Sequence, residues 1–509
     1  MRAGLSEIDW MGCDRDLLQR ARVVLRTNGC RRMRALPSVL AVTASIALLI
    51  PTSASAPIAV RNSGAPINAD LIVTAAPVFD SLAELRGHER FPQGAQLLLI
   101  HAGKPASKPE PLVEGFAATA DANVSFDAKT ILFAGKQNAG DLWQIWEMTL
   151  ADRSVRKVIS TDADAERPLY LPGGRMVWAE RTPWGFQLKS AEDGHPPAQP
   201  FLNPTATGLL PLTYTRASAF PADVLADGRI LFEAGYPLGS GSTPELFLVY
   251  ADGSGVESYR CDHGRARWGG KQLASGDVVF THGSSLGRFT SPLAHEVPIV
   301  APYAEYAGAI AEIASGAWLM SARTAAGTHF TINAWKPGSP ALHTVAAVNG
   351  ENLLDPVLLA SRATPKRHPS GLHPWNYANL MALDARQSRL GDLKLTPASV
   401  RLEMQDDQGR AVVMGTAPVE SDGSFFVKTP ADRPIRFALL NEKGSVVRQE
   451  HGWFWSRGGE QRICVGCHTG PERASENRLP IVLLHSTTAV DLTGAQAPPA
   501  APQVPQGGK

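Results

Sequence analysis

The chain has 509 residues, too many for one ordinary domain, and its 44% hydrophobic and 19% charged residues are typical of a globular protein. The sum of lysine and arginine is 49 and that of aspartate and glutamate is 48, so the formal net charge of +1 excludes a strongly basic nucleic-acid-binding surface. Five cysteines exclude a disulfide-dense scaffold, and 46 glycines with 39 prolines favour many short strands joined by turns.

The N-terminal region predicts an export signal. A basic start at Met33 is followed by an uninterrupted apolar run over 39–50 and then by the small residues 54–56. The apolar run is shorter than the ~20 residues that span a bilayer. We therefore expect a signal peptide over 33–56, and a retained membrane anchor is the alternative.

The predicted cleavage lies between Ala56 and Pro57. Residues 1–32 form a leader extension, and Met33 is an alternative start of the protein. Removal of 1–56 leaves a slightly acidic chain with a net charge of −3, which gives no clear preference for a basic partner. We expect a periplasmic or otherwise exported protein without a stable membrane span.

A short repeated unit predicts a β-propeller over 76–362. Each copy is a small turn followed by an apolar strand, as in Asp227-Gly228-Arg-Ile-Leu-Phe232. The copies are anchored at positions 94, 129, 174, 228, 276 and 316. A repeat of ~40–50 residues with several strands is typical of a propeller blade, so six copies predict six blades, with a closing strand over 353–359. An irregular all-β array and a seven-bladed ring are the alternatives.

The regions on either side of the propeller complete an all-β prediction. A linker is expected over 57–75, and a proline-rich linker over 363–376. Alternating apolar residues and turn signals then predict a small β-sandwich over 377–450. A haem-binding segment over 451–495 and a disordered tail over 496–509 follow.

The sequence Cys464-Val-Gly-Cys467-His468 carries the clearest chemistry. The pattern C-x-x-C-H is the attachment site of c-type haem, in which two thiols add to the haem vinyl groups and the adjacent histidine is an axial iron ligand. Export supports this interpretation, because haem is attached outside the cytoplasm in bacteria. Half of a zinc site and a disulfide between Cys464 and Cys467 are the alternatives. We expect one covalent haem c.

The distal side of this haem is open to several histidines. His485, in a predicted apolar strand over 481–485, is a candidate distal ligand, and His451, His368 and His373 are alternatives. Each of these is more often a solvated or hydrogen-bonded histidine than a ligand. An empty distal position permits ligand binding or catalysis, whereas two filled positions favour electron transfer.

The segment around the motif is too short for a free-standing helical cytochrome. No methionine follows Met414, which excludes a methionine ligand from this segment. The haem is therefore expected to pack against the preceding β domains. The aromatic run Trp453-Phe454-Trp455 is expected to cover its apolar face, to belong to an ordinary core, or both.

A second group of candidate metal ligands is Cys261-Asp262-His263. Cys261 has no disulfide partner if haem occupies the other exported cysteines. Three adjacent side chains that can all bind metals suggest a small metal site on the propeller. The alternative is that Cys261 is a small buried apolar residue.

Three stretches of this chain resemble the hydrazine synthase alpha-subunit family. They are the segment 455–480, the turn 252–255 leading into 261–264, and the segment 422–427. The resemblance extends over about 76–490. It implies a six-bladed propeller followed by a β domain and a c-type haem.

The resemblance also implies a role for zinc. In that family the histidine of the haem motif can bind zinc together with a propeller cysteine, which by position pairs His468 with Cys261. A tyrosine four residues beyond the motif histidine ligates the iron in the family, whereas this chain has Glu472 there and lacks the second haem motif. The sequence therefore does not predict that this protein synthesises hydrazine.

Two functions remain. The first is an exported c-type haem protein that transfers electrons or acts as a small-molecule oxidoreductase, with a redox protein or a small molecule as its partner. The second is a propeller that binds or scaffolds a partner, with a structural or sensory haem. The propeller cannot decide between them, because function depends on sites and not on folds.

Overall fold

The computed structural model describes residues 69–102, 109–192, 209–236, 238, 243–260, 262–388, 391–466 and 477–494. The predicted leader, signal peptide and C-terminal tail lie outside the described residues, as do Cys261, Cys467 and His468. The regular structure that is described is almost all β-strand, which confirms the all-β prediction. No helix in the described ranges is long and apolar enough to cross a membrane.

The first part of the described chain folds into four-stranded antiparallel sheets that follow one another in sequence. The strands are β1 (Leu71–Ala76), β2 (Gln96–Ile100), β3 (Glu110–Pro111), β4 (Ala118–Val124), β5 (Thr130–Lys136), β6 (Gln144–Thr149), β7 (Val155–Ile159), β8 (Ala165–Leu171), β9 (Arg175–Thr182), β10 (Gly185–Glu192), β11 (Leu210–Pro211), β12 (Ala219–Val224), β13 (Ile230–Tyr236), β14 (Thr243–Val249), β15 (Glu257–Ser258), β16 (Arg267–Gln272), β17 (Val278–His282), β18 (Ser285–Phe289), β19 (Val297–Ile299), β20 (Glu305–Glu312), β21 (Trp318–Arg323), β22 (Thr331–Trp335), β23 (His343–Ala346) and β24 (Asn352–Leu358). A one-turn 3-10 helix, Glu84–Arg86, lies between β1 and β2.

These sheets are arranged as in a propeller. Five of the described sheets use four consecutive strands, whereas the remaining sheet has the order β24-β1-β2-β3 and therefore joins the two ends of the region. Leu71 of β1 is paired with Leu358 of β24. The strands β4, β8, β12, β16, β20 and β24, each at the start of its sheet, contact one another in turn and close a ring.

The repeated unit seen in the sequence corresponds to one strand of each sheet. The six copies lie at β2, β5, β9, β13, β17 and β21. In the copy at β13, Gly228 turns the chain with φ of +91°, and the following Ile230, Leu231 and Phe232 are buried. Sheets stacked face to face bury both sides of such a strand, which explains why its sequence is continuously apolar rather than alternating.

One predicted boundary differs from the structure. The linker assigned to 57–75 includes β1, which begins at Leu71 and whose residues are all buried. This strand lies between β24 and β2, and no repeat unit marks it in the sequence because its position is set by a pairing with the far end of the region. The closing strand predicted over 353–359 corresponds to β24.

The C-terminal part contains two more four-stranded sheets. Its elements are β25 (Tyr377–Ala382), β26 (Ser399–Gln405), β27 (Ala411–Pro418), β28 (Phe425–Pro430), β29 (Ile435–Leu440), β30 (Val446–Gln449), β31 (Gln461–Cys464), α1 (Ile481–His485) and β32 (Val490–Asp491). The sheet orders are β27-β26-β29-β30 and β31-β25-β28-β32. Side chains from both sheets share one core, which includes Leu380, Val400, Val427 and Phe437.

The predicted haem-binding segment is part of this domain. Strands β31 and β32 each add to the second sheet in parallel, beside β25 and β28 respectively. The predicted strand over 481–485 is wrong, because these residues form the short helix α1. Its first backbone N–H groups are bound by side chains of another segment, as described below, and a local pattern does not reveal such a contact.

Candidate haem site

Cys464 is the last residue of β31, at the edge of the second sheet. Its backbone carbonyl accepts a hydrogen bond of 2.9 Å from the N–H of Leu383, and the next carbonyl, of Val465, accepts one of 3.1 Å from Asp384. The half-buried side chain packs against the core of the domain. Two neighbouring backbone bonds thus hold the first residue of the haem motif in place.

The surroundings of Cys464 fit the attachment of a haem. Burial raises the pKa of its thiol, and the charge of Arg462 opposes this only in part, so the sulfur is protonated at neutral pH. Apolar side chains on either side of the motif are unusually exposed, at 64% for Ile463, 59% for Leu479 and 64% for Leu484. A porphyrin is a ligand that could cover such side chains.

The segment before the motif is bound to the propeller. The buried carboxylate of Glu460 accepts hydrogen bonds from the N–H groups of Gly255, at 3.1 Å, and Arg457, at 2.8 Å. Two residues later, Arg462 donates to the carbonyl oxygen of Val256 at 2.5 Å. The resembling stretches 252–255 and 455–480 therefore meet in the structure.

The glycine at 255 is required by this contact. Its φ is +65°, and a Cβ atom built there would lie 2.7 Å from the ring of Tyr250. Any larger residue would displace the tyrosine ring and strain the turn. The turn that presents the Gly255 N–H to Glu460 thus depends on a residue without a side chain.

The aromatic run 453–455 belongs mainly to hydrophobic cores. The side chain of Trp455 is 1% exposed, packs in a propeller core and has its ring centroid 6.3 Å from that of Tyr214. Trp453 lies under the guanidinium of Arg436, 4.4 Å from the ring centroid. Phe454 packs in the same core as Cys464. Of the three rings, Phe454 is the one that packs against the same hydrophobic core as Cys464.

The segment after the motif is bound at a second point. Asp422 accepts hydrogen bonds from Arg478, at 2.6 Å, and from the N–H of Ile481, at 2.9 Å. The hydroxyl of Ser424 accepts one of 3.1 Å from the N–H of Val482. These side chains satisfy the first N–H groups of α1, and they belong to the resembling stretch 422–427. The residues described on both sides of the motif are therefore fixed to the fold.

His485, the candidate distal ligand, is the last residue of α1. Its side chain is 65% exposed, and its Nδ1 lies 2.9 Å from a carboxylate oxygen of Glu420. Because Nδ1 makes this contact, Nε2 is the ring nitrogen that would bind an iron ion. The structure joins His485 to Glu420 and not to Cys464.

Two other sequence candidates are brought together by a tyrosine. The ring of His263 stacks on that of Tyr236 with a centroid distance of 3.9 Å and an angle of 10°. The ring centroid of His451, which begins the predicted haem segment, lies 6.0 Å from that of Tyr236. Tyr236 was missed in the sequence, because it is the last residue of an ordinary repeat strand.

Asp262 is held by an arginine. Both of its carboxylate oxygens accept hydrogen bonds of 2.9 Å from Arg267, which also binds Glu296 at 2.6 Å. Burial acts to raise the pKa of Asp262, but the hydrogen bonds from Arg267 outweigh it and lower the pKa. Within the described ranges, no group of three or more histidine, cysteine, aspartate or glutamate side chains is placed to hold a metal ion.

The remaining histidine candidates lie in the linker and make aromatic contacts. His368 lies 4.8 Å from Tyr250, and His373 stacks on Trp375 at 4.6 Å. His373 also approaches the glycine at 459, whose hypothetical Cβ would lie 1.8 Å from its carbonyl oxygen. The two linker histidines thus help to join the linker to the domains on either side of it.

The sequence around the candidate haem motif is similar to that of known proteins. A sequence profile described as the hydrazine synthase alpha subunit middle domain matches residues 396–469. The hydrazine synthase subunit alpha of Kuenenia stuttgartiensis is 38% identical over 61 residues, which cover 12% of this chain. The match spans 8% of the length of that protein.

The described fold extends the similarity beyond this segment. The structure of Kuenenia stuttgartiensis hydrazine synthase is similar with a TM-score of 0.71 and 16% identity, over 83% of this chain and 72% of the other. A looser match is TolB from Acinetobacter baumannii, with a TM-score of 0.41, 12% identity, and coverage of 59% and 68%. The chain is therefore similar to the hydrazine synthase alpha subunit in sequence over 396–469, and its described fold is similar to that of hydrazine synthase.

Proposed function

We propose that this chain is an exported protein with one covalent c-type haem, and that it transfers electrons or acts on a small molecule by oxidation or reduction. The observation that carries the proposal is Cys464, presented at a sheet edge as the first residue of a C-x-x-C-H sequence. The resemblance to the alpha subunit supports a haem here. Hydrazine synthesis is not part of the proposal, because Glu472 stands where the family has tyrosine.

The residues would hold the group in defined roles. Cys464 and Cys467 would each form a thioether, in which the sulfur bonds to one vinyl carbon and the thiol proton moves to the other. His468 would bind the haem iron, and the bound haem would supply a one-electron redox couple. Glu460 and Asp422 would position the two sides of the motif through the contacts described above.

The haem is tested by its covalent attachment. The protein is expressed with the cytochrome c maturation machinery and extracted with acidified acetone. We expect the colour to stay with the wild-type protein and with Cys261→Ser, and to be lost from a Cys464→Ser, Cys467→Ser double variant. Wild-type protein that is colourless, or that releases its colour, would overturn the proposal.

A second function is a binding or scaffolding propeller with a structural or sensory haem. Carbon monoxide separates the enzyme and sensor cases from the electron carrier. Rapid binding by the reduced protein indicates an open iron position, whereas an unchanged spectrum indicates two filled axial positions. An affinity for a partner protein that is the same in the oxidised and reduced states of the haem would favour the scaffold.

As an alternative role for His468, in which it does not bind the iron, we propose zinc binding by His468 and Cys261. The support is their proximity along the chain to one contact: Cys261 follows Val256 by five residues, and His468 follows Arg462 by six, and those two residues are hydrogen-bonded. Segments of five and six residues span at most ~18 Å and ~22 Å, so the chain allows both residues to come near this contact. Zinc content measured in the wild type and in Cys261→Ser tests the pairing, and equal zinc in both would overturn it.

Export is the remaining part of the proposal. The predicted signal over 33–56 supports it, and fractionation of expressing cells with N-terminal sequencing tests it. We expect the mature protein in the periplasmic fraction, beginning at Pro57. Protein that stays in the cytoplasm with an intact 33–56 would contradict export and would also remove the compartment in which the haem is attached.

A further inference from the structure

A cavity of about 360 Å³ lies where the first strands of the propeller sheets meet. Each of these strands has a β-bulge, and all the bulges line the cavity. The bulges lie between Ala120 and Asn123, Glu166 and Leu169, Pro221 and Asp223, Trp268 and Lys271, Ala307 and Ala311, and Leu354 and Val357. A bulge redirects a side chain that would otherwise follow the strand, and bulges are common beside binding sites.

Charged residues occupy three of the bulges. Asp121, Arg167 and Asp355 have φ of 60°, 52° and 49°, in the left-handed region that residues other than glycine rarely adopt. All three line the cavity, together with Arg90 and Glu233. The backbone is therefore held in an uncommon conformation where ionised side chains converge.

Two of the arginines that line the cavity, Arg90 and Arg167, are shared among several acids. Arg90 pairs with Asp121 and lies 3.5 Å from Asp355. Arg167 pairs with Glu84 and lies 3.3 Å from Glu233. A further buried carboxyl group, that of Glu166, lies behind the cavity. Lys271, Arg362 and Glu312 also line the cavity, so among the described residues of this network six acids face four bases.

The excess of acids is reflected in their protonation. Burial, followed by the charge of Glu84, raises the pKa of Glu166 well above its usual range. Burial also raises the pKa values of Glu233 and Asp355, although the nearby arginines oppose it. Burial therefore disfavours the ionised form of these acids, and a bound cation would stabilise that form better than water does.

The walls of the cavity are apolar and aromatic. Phe79 and Trp268 line both this cavity and a second one beside it. Trp268 is nine-tenths buried, and its indole N–H has no hydrogen-bond partner among the described residues. A buried donor without a partner points to an acceptor that a ligand supplies. Aromatic faces also attract cations.

We propose that this cavity binds a small organic cation, an amine or guanidine joined to a short apolar group with an oxygen acceptor. The cationic nitrogen would lie against Asp355 and Glu233, and the apolar group against Phe79 and Trp268. A metal ion is disfavoured, because the described acids do not converge as a set of metal ligands. The proposal does not depend on the haem.

Three compounds of one shape test the charge preference. They are 2-amino-1-phenylethanol, a cation at neutral pH, 1-phenylethane-1,2-diol, which is neutral, and mandelate, an anion. Isothermal titration of the full chain is expected to show binding of the cation and at least about tenfold weaker binding of the other two, as expected when a charge-assisted contact is lost. No binding of the cation, or equal binding of all three, would overturn the proposal.

Matched variants locate the site. Asp355→Asn and Glu233→Gln should each weaken binding of 2-amino-1-phenylethanol by about tenfold. Asp164→Asn is the control: Asp164 pairs with Arg181 and does not line the cavity, so this change should leave binding unchanged. Unchanged binding in both cavity variants would overturn the proposal, as would competition by millimolar calcium, which would indicate a metal site instead. If the cavity variants do not fold, the three-compound comparison on the wild type decides.

Discussion

The guanidinium of Arg462 donates a hydrogen bond of 2.5 Å to the backbone carbonyl oxygen of Val256. The same guanidinium lies 5.3 Å from the ring of Phe454 and donates to the carbonyl of Trp455 at 3.5 Å. One side chain thus connects the strand of Cys464 to the propeller and to the aromatic run before it. Its planar, multiple donors allow contacts in several directions at once.

Arg462→Gln should destabilise the folded chain. The shorter amide cannot keep all three contacts, and the buried carbonyl of Val256 loses its charged donor, so we expect a loss of about 1–3 kcal/mol in the free energy of unfolding. Urea denaturation measures this loss. Arg410→Gln, at an exposed pair with Asp406, is the control and should cost about 0–1 kcal/mol. Equal stability of the two variants would show that Arg462 is not a structural link.

Asp422→Asn should loosen the segment after the haem motif. An amide cannot accept as strongly from both Arg478 and the N–H of Ile481, so the first turn of α1 should open more often. Hydrogen exchange followed by mass spectrometry should show faster exchange over 477–485. Asp407→Asn, at an exposed pair with Arg433, should leave this exchange unchanged. Unaltered exchange in Asp422→Asn would contradict the anchoring role.

Glu450 should make stability depend on pH. Burial raises the pKa of its carboxyl from 4.5 to about 7, although the N–H of Phe437 and the charge of Arg462 oppose the shift. The folded chain therefore binds more protons than the unfolded chain between these values, and its stability should fall as the pH rises from 4.5 to 7.

Glu450→Gln is the test of this dependence. The amide does not titrate, so the free energy of unfolding should vary less with pH between 5 and 7 than in the wild type. Urea denaturation at several pH values measures the slope. Glu442→Gln, in an exposed turn, should keep the wild-type slope. A slope that is the same in Glu450→Gln and the wild type would refute the assignment.

Trp455→Ala should cost stability without changing the visible spectrum of the proposed haem. The ring is buried in a propeller core, and its removal leaves a large cavity, so we expect a loss of about 3–5 kcal/mol. Trp375→Ala, at a partly exposed linker position, is the matched control and should cost much less. Denaturation gives the loss, and the visible spectrum of the folded variant should match that of the wild type. A shifted haem spectrum would place the ring beside the haem instead.

Much of the fold could be predicted because its signals are local. A glycine turn followed by an apolar strand, as at Gly228 and Ile230, indicates one strand of each sheet wherever it recurs. The haem motif at 464–468 is equally local, because the spacing of its residues is set by the chemistry of attachment. Length, composition and the apolar run over 39–50 likewise need no tertiary information to suggest class and export.

Other features depend on residues far apart in the chain. The pairing of Leu71 with Leu358 places β1 in a sheet that its own sequence does not identify. The helix α1 forms where a strand was predicted, because Asp422 and Ser424 bind its first N–H groups. The apolar residues of 481–485 fit either structure by local pattern alone.

The sequence alone determined the repeated strands and the prediction of a haem at 464–468, since both depend on neighbouring residues. The tertiary structure alone decided which histidines approach one another, how Glu460 and Arg462 fix the motif to the propeller, and that charged bulges surround a central cavity. The physical reason is that these contacts arise from the closure of the ring and from packing between domains. Such contacts join residues that no local periodicity relates.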